Sequence, residues 1–149
     1  YMKSHNIVFV PTVYIVDNIL ENGEKDKLPD FMLRKARELA SKHFPSFQLG
    51  VRNGLIIAAG SDMSYEPGKG TVLDEVITEV KYGMTAQQAL VAGTKHSAEL
   101  LGLTQLGTLE TGKEASLIAV EGDPLADIKT LKSVRAVIFQ GKVVVVPSH

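Results

Sequence analysis

Two strand-length apolar runs, each leading into a stretch of helical period, constrain this chain more than any other feature. The first, Ile7 to Val16 (IVFVPTVYIV), is rich in β-branched and aromatic residues and almost unbroken in hydrophobicity, as suits a strand buried on both faces of a parallel sheet. Pro11 cannot donate to a ladder and marks where the pairing should stop. Asp17 to Lys27 is polar and reads as loop; beyond Pro29, Asp30 can cap a helix whose apolar positions Met32, Ala36, Leu39 and Ala40 recur at helical spacing. A second short helical segment is expected after Pro45, ending at Asn53-Gly54. The second run, Leu55 to Ala59 (LIIAA), ends in Gly60-Ser61-Asp62. After a loop from Met63 to Gly70 the spacing predicts a helix over Thr71 to Tyr82, with Val72, Val76 and Val80 in one row, Leu73 and Ile77 beside it, and Gly83 as its stop. Strand and helix thus alternate twice.

Thr85 and Gln88 form a capping-box pattern for a further helix, and Thr94 to Leu101 makes another that closes at Gly102. From Leu106 the period changes. Gly107 to Glu110, Ala115 to Val120, Val134 to Phe139 and Lys142 to Val146 are strand-like runs separated by the turn signals Thr111-Gly112, Gly122-Asp123-Pro124 and Gln140-Gly141. The expected organisation is therefore α/β over residues 1–104 and a β unit over residues 105–149.

Composition narrows the partners. Sixteen Lys and Arg against seventeen Asp and Glu leave a formal charge of -1, so no basic stripe points to nucleic acid. No apolar run approaches the roughly 18 residues a spanning helix needs, so no membrane segment is expected. The absence of cysteine excludes disulfides, thiolate metal sites and a cysteine nucleophile, and leaves the compartment open with the cytoplasm favoured. Any metal would have to be held by His, Asp or Glu.

Asp62 is the position most suited to chemistry, a carboxylate directly after a buried strand, where parallel α/β folds place functional groups. Position alone equally allows a plain loop or cap residue. Tyr14, past Pro11-Thr12, either faces substrate at the end of the first strand or is buried and bonded locally. The run Glu66 to Thr71 lacks the earlier glycine of a phosphate loop, and Ser61 and Ser64 have no adjacent histidine to make a nucleophile.

The ordered set Ile57-Ala58-Ala59-Gly60-Ser61-Asp62, Glu75, Tyr82-Gly83-Met84-Thr85, Ala89-Leu90, Thr94 and Leu101-Gly102-Leu103 resembles the end of the metal-dependent amidohydrolases, more narrowly the imidazolonepropionase and Xaa-Pro dipeptidase-like branch. The resemblance continues through Gly107-Thr108-Leu109-Glu110, Gly112-Lys113, Gly122-Asp123-Pro124-Leu125, Asp127-Ile128 and Gly141-Lys142-Val143, and reaches back to Val10-Pro11-Thr12. It implies the last two strand–helix units of an incomplete TIM-type barrel followed by C-terminal strands of a small β-sandwich. It also implies that Asp62 contacts a divalent metal, zinc by expectation, and exchanges a proton with the attacking water of a C–N bond hydrolase acting on a small or dipeptide-like substrate.

The sequence departs from that pattern in what it lacks. No His-x-His pair is present, and His5, His43, His96 and His149 lie outside the matching positions. Ser61 stands where Thr is usual, and Ala115-Ser116 where Ala-Asp is frequent, the latter loosening a polar contact in the β unit. A complete barrel needs about 250 residues. The expectation is a fragment that binds no metal and turns over no substrate by itself, and that associates with itself through unpaired edges at Ile7 to Val10 and Val143 to Val146. The competing expectation is a self-standing, non-catalytic α/β domain for assembly or binding.

Overall fold

The computed structural model describes residues 1–63 and 71–144. Most of the loop predicted from Met63 to Gly70, including Ser64 and the Glu66 to Gly70 stretch, and the end of the chain with Val145, Val146 and His149, lie outside the described residues.

The two apolar runs pair, and they run parallel: Phe9 N–H donates to Ile56 O at 2.9 Å and Ala58 N–H donates to Phe9 O at 3.0 Å. Their approach continues to Gly60, where a Cβ would stand 2.8 Å from Val10 Cγ1. The first run is shorter than its composition predicts. Extended backbone ends at Pro11, and Val13–Asn22 forms helix α1, which takes in part of the stretch read as loop. Two opposed signals overlap here. Val13, Ile15 and Val16 favour a strand by shape, but Val13, Val16 and Asp17 recur at helical spacing and are the residues this helix buries.

Helix α2 spans Asp30–Arg52 without the break expected at Pro45. Pro45 faces solvent, where the missing N–H leaves its carbonyl partner open to water. Both halves of the helix are anchored below it, by Ala36 on one side and by Phe47 and Gly50 on the other. Phe47 is fully buried, a contribution of roughly 1.5–3 kcal/mol. A Cβ at Gly50 would meet the Phe9 ring at 3.2 Å, so this half of α2 lies close against the first strand.

Helix α3, Val72–Lys81, starts at the capping box of Thr71 and Asp74. Its buried face differs from the row of valines expected. Val76 is buried as predicted and Val72 is exposed, while Glu75, Thr78 and Glu79 join the buried set. Helix α4, Ala86–Val91, begins at the predicted Thr85–Gln88 box, widens into a π turn over Ala92–His96 and resumes as α5, Ser97–Leu100. The widening frees Ala92 O to accept from Ala59 N–H at 3.3 Å, so the helix closes the outer edge of the second strand. Gly93 makes this fit possible, since a Cβ there would come within 2.6 Å of Val76 Cγ2.

The tail holds an antiparallel sheet of order β1-β2-β3, formed by Leu117–Val120, Val134–Phe139 and Lys142–Val144. Gln140 and Gly141 both have positive φ, 50° and 75°, the requirement of the two-residue turn that their sequence predicts. Gly107 to Glu110 is not a strand. Gly107, at φ 89°, packs so tightly on Lys95 and Ala98 that the segment follows the helix instead of a ladder. Ser116 keeps a polar contact at the hairpin, accepting from Gln140 N–H at 3.1 Å and donating to Glu114 at 2.7 Å. Ile128 and Leu131, on a 3-10 turn between β1 and β2, enter the same apolar cluster as Val13, Phe47, Ile57 and Val76. No helix among the described residues is long and apolar enough to cross a membrane.

Candidate active site

Parallel pairing places the chain just after Phe9 and just after Ile57 at the same end of the strand pair. One exit is Pro11-Thr12, the other Gly60-Ser61-Asp62. Both turn through left-handed backbone, Thr12 at φ 49° and Asp62 at φ 51°, conformations that Asp tolerates better than Thr. Asp62 is exposed and opens onto a groove of about 670 Å³ walled by Ile15, Val16 and Ile19 of α1 and by Met32 and Ala36 of α2.

The start of α1 is held from another helix. Thr12 makes no side-chain cap, and the orphan amides of Val13 and Tyr14 donate to the two carboxylate oxygens of Glu75, at 2.9 and 2.7 Å. Burial pushes the Glu75 carboxyl up to about 7, and these two amide bonds pull against that rise. Glu79, one turn on, is fully buried, and neither of its oxygens has a hydrogen-bond partner among the described residues. Burial, reinforced by the neighbouring Glu75, pushes it up to about 8, so Glu79 is the member of the pair that keeps its proton.

A second clamp holds α1 further along. Asp17 is buried and accepts from Lys81 Nζ at 2.7 and 2.8 Å and from Tyr82 Oη at 2.6 Å, while Lys81 also reaches Glu21 at 2.6 Å. The ring of Tyr82 stacks on Phe44 of α2 at 3.9 Å. Burial and the Asp17 bond together push the Tyr82 hydroxyl up to about 12.

Tyr14 is half-buried in the first turn of α1, and its hydroxyl donates to Asn18 at 3.4 Å. Burial, then the negative charge of Asp74, raises its pKa. The groove beside Asp62 is not lined by Tyr14. Two histidines are tied to the strand ends: His43 Nε2 donates to Pro11 O at 2.6 Å and His96 Nδ1 to Ile57 O at 2.8 Å. His5 bonds and stacks within the first turn, against Tyr1. Among the described residues no three His, Asp or Glu side chains group to hold a metal ion. A zinc site takes three protein groups plus water, so what is described of this chain fits one ligand of such a site, the Asp62 carboxylate, and not a whole one.

Sequence reasoning found Asp62 and missed the Glu75–Glu79 pair as a buried feature. A signal was there: like charges at i and i+4 repel on an exposed helix, so the pair had reason to be engaged elsewhere.

The model of the Amidohydrolase family matches residues 1–144. The chain belongs to the amidohydrolase family. Among relatives of this amidohydrolase chain, ochratoxinase of Aspergillus niger is 33% identical over 139 residues, covering 91% of this chain and 28% of that protein. The crystal structure of A. niger ochratoxinase superposes with a TM-score of 0.84 at 31% identity, over 99% of this chain and 34% of that one. A Xaa-Pro dipeptidase with methionine bound in its active site gives 0.84 at 31% identity, over 97% and 36%. The amidohydrolase chain thus spans about a third of the length of the relatives it matches.

Proposed function

We propose that this chain carries the closing part of an amide-bond hydrolase: the last two strand–helix units of a TIM-type barrel over residues 1–104 and strands of a small sandwich over residues 105–149. In this reading Asp62 is the catalytic carboxylate. It supplies one ligand to a divalent metal, zinc, and takes the proton of the attacking water for delivery to the leaving amine. The observation that carries the reading is the parallel pairing of Phe9 with Ile57, which sends Asp62 out beyond the end of a buried strand and beside the exit of its neighbour. Tyr14 keeps the role of substrate contact, its 3.4 Å bond to Asn18 being long enough to exchange for a substrate group. The named chemistry of the relatives, cleavage of ochratoxin and of Xaa-Pro dipeptides, sets the substrate class as small amides or dipeptides.

One carboxylate does not make a hydrolytic centre, so the chain by itself is proposed to be inactive. The test joins it to the complementary part of A. niger ochratoxinase and follows cleavage of ochratoxin and of a Xaa-Pro dipeptide with zinc supplied. The expected result is turnover that falls roughly 10²- to 10⁴-fold in Asp62→Asn. Full activity of that variant would overturn the role of Asp62, and micromolar zinc binding with turnover by the isolated chain would overturn its inactivity.

A further inference from the structure

The turn that leaves the first strand is built against local preference. Pro11 offers no N–H, Thr12 sits in left-handed backbone at φ 49° and its hydroxyl caps nothing, and yet α1 starts at the next residue. What holds it comes from elsewhere in the chain. His43 of α2 donates to Pro11 O on one side, and Glu75 of α3 accepts from Val13 and Tyr14 on the other. Glu75 is fully buried and each of its oxygens takes a different amide. A Ser, Thr or Asn at position 12 acting as a cap could stabilise α1 equally well. Only an acceptor on α3 also fixes where α1 stands relative to the unit that carries Asp62.

We propose that Glu75 is a positioning residue: its carboxylate sets the Pro11–Tyr14 turn and, through it, the α1 wall of the groove onto which Asp62 opens. The functional weight of this rests on the hydrolase reading above, since it assigns Glu75 to arranging the end of the fold at which Asp62 acts. The charge is sustained in a buried setting by two charge-assisted amide bonds and by the positive end of α1, a ten-residue helix. The protonated Glu79 next to it adds no second negative charge.

The test is nuclear magnetic resonance on the full 149-residue chain. The amide protons of Val13 and Tyr14 are expected well downfield and slow to exchange, and both should move as the side-chain carboxyl of Glu75 titrates. Glu75→Gln keeps the size but only one acceptor oxygen. It should speed exchange at one of the two amides roughly tenfold or more, with the β2 amides unchanged. Glu79→Gln should leave both bonds in place. A Glu75→Gln chain whose Val13 and Tyr14 amides are unmoved, or whose amides all exchange faster to the same degree, overturns the proposal. If that variant does not fold, the wild-type titration decides alone, and amides that ignore the Glu75 carboxyl sink it. None of these readings involves metal or turnover, so they fail or succeed independently of the Asp62 test.

Discussion

At the residue scale the most consequential group is a carboxyl with nothing to bond. Glu79 is protonated in the folded chain up to about pH 8, against an ordinary value of 4.5. Below 4.5 it is neutral folded or unfolded and has no effect on pH dependence. From 4.5 to about 8 only the unfolded chain releases the proton, so stability falls as pH rises, by up to roughly 1.4 kcal/mol per pH unit, and levels off above. Urea unfolding at pH 5 and pH 8 should therefore show the wild-type chain weaker at pH 8. Glu79→Gln should be near neutral at pH 5 and stabilising by roughly 2–4 kcal/mol at pH 8; an unchanged pH slope in the variant would refute the assignment. Gly93→Ala tests packing instead. Its Cβ would press on Val76 at 2.6 Å, and a loss of roughly 1–3 kcal/mol in the same assay is expected. Of these residues Asp62 could be read in advance, because a strand end followed by a loop is a one-dimensional pattern. Glu75 and Glu79 could not be placed, because what buries them is the start of α1, more than sixty positions away.

At the element scale the molecule shows where local preference yields. The β-branched Val13–Val16 stretch becomes helix because Glu75 supplies a cap that no neighbouring residue does, and α2 runs through Pro45 because its two halves are anchored in one core. Neither cause is local, which is why a strand to Val16 and a break at Pro45 were the natural readings. The elements whose signals are local came out as expected: the Thr85–Gln88 box opens α4, and Gln140-Gly141 turns β2 into β3. Because Pro45 is exposed and its ring meets no packing demand, Pro45→Ala should restore a helical hydrogen bond and raise stability by roughly 1–3 kcal/mol. A melting temperature that stays level or drops would show that the helix is bent there for a reason of its own. Removing the Asp17 carboxylate should do the opposite. Asp17→Ala strips both Lys81 and Tyr82 of their partner and should cost about 2–3 kcal/mol, read by the same melts.

At the scale of the whole molecule, open edges set the behaviour. Two parallel strands are paired only with each other and, on one side, with a helix turn; Ile7, Val10 and Ile56 along them are more than a third exposed, as are Val143 and Val144 on the terminal strand of the sheet. Such rows of apolar side chains and free amides invite pairing. Light scattering across a concentration series should find mass rising above that of one 149-residue chain; a single monodisperse species of 16.1 kDa at every concentration would contradict this.

The widened turn at Ala92–His96 carries a further consequence. A π turn behaves as one surplus residue lodged in a regular spiral, and here that surplus is what hands Ala92 O to Ala59. Deleting a single position from 92–96 would restore ideal winding, withdraw the carbonyl from the strand and swing Ser97–Leu100 by about 100° around the axis. Ala98 would leave its contact with Gly107, and the β unit would lose its seat. Over this stretch the phase between the two halves of the chain is kept by a count, and shortening the count by one would unship the tail.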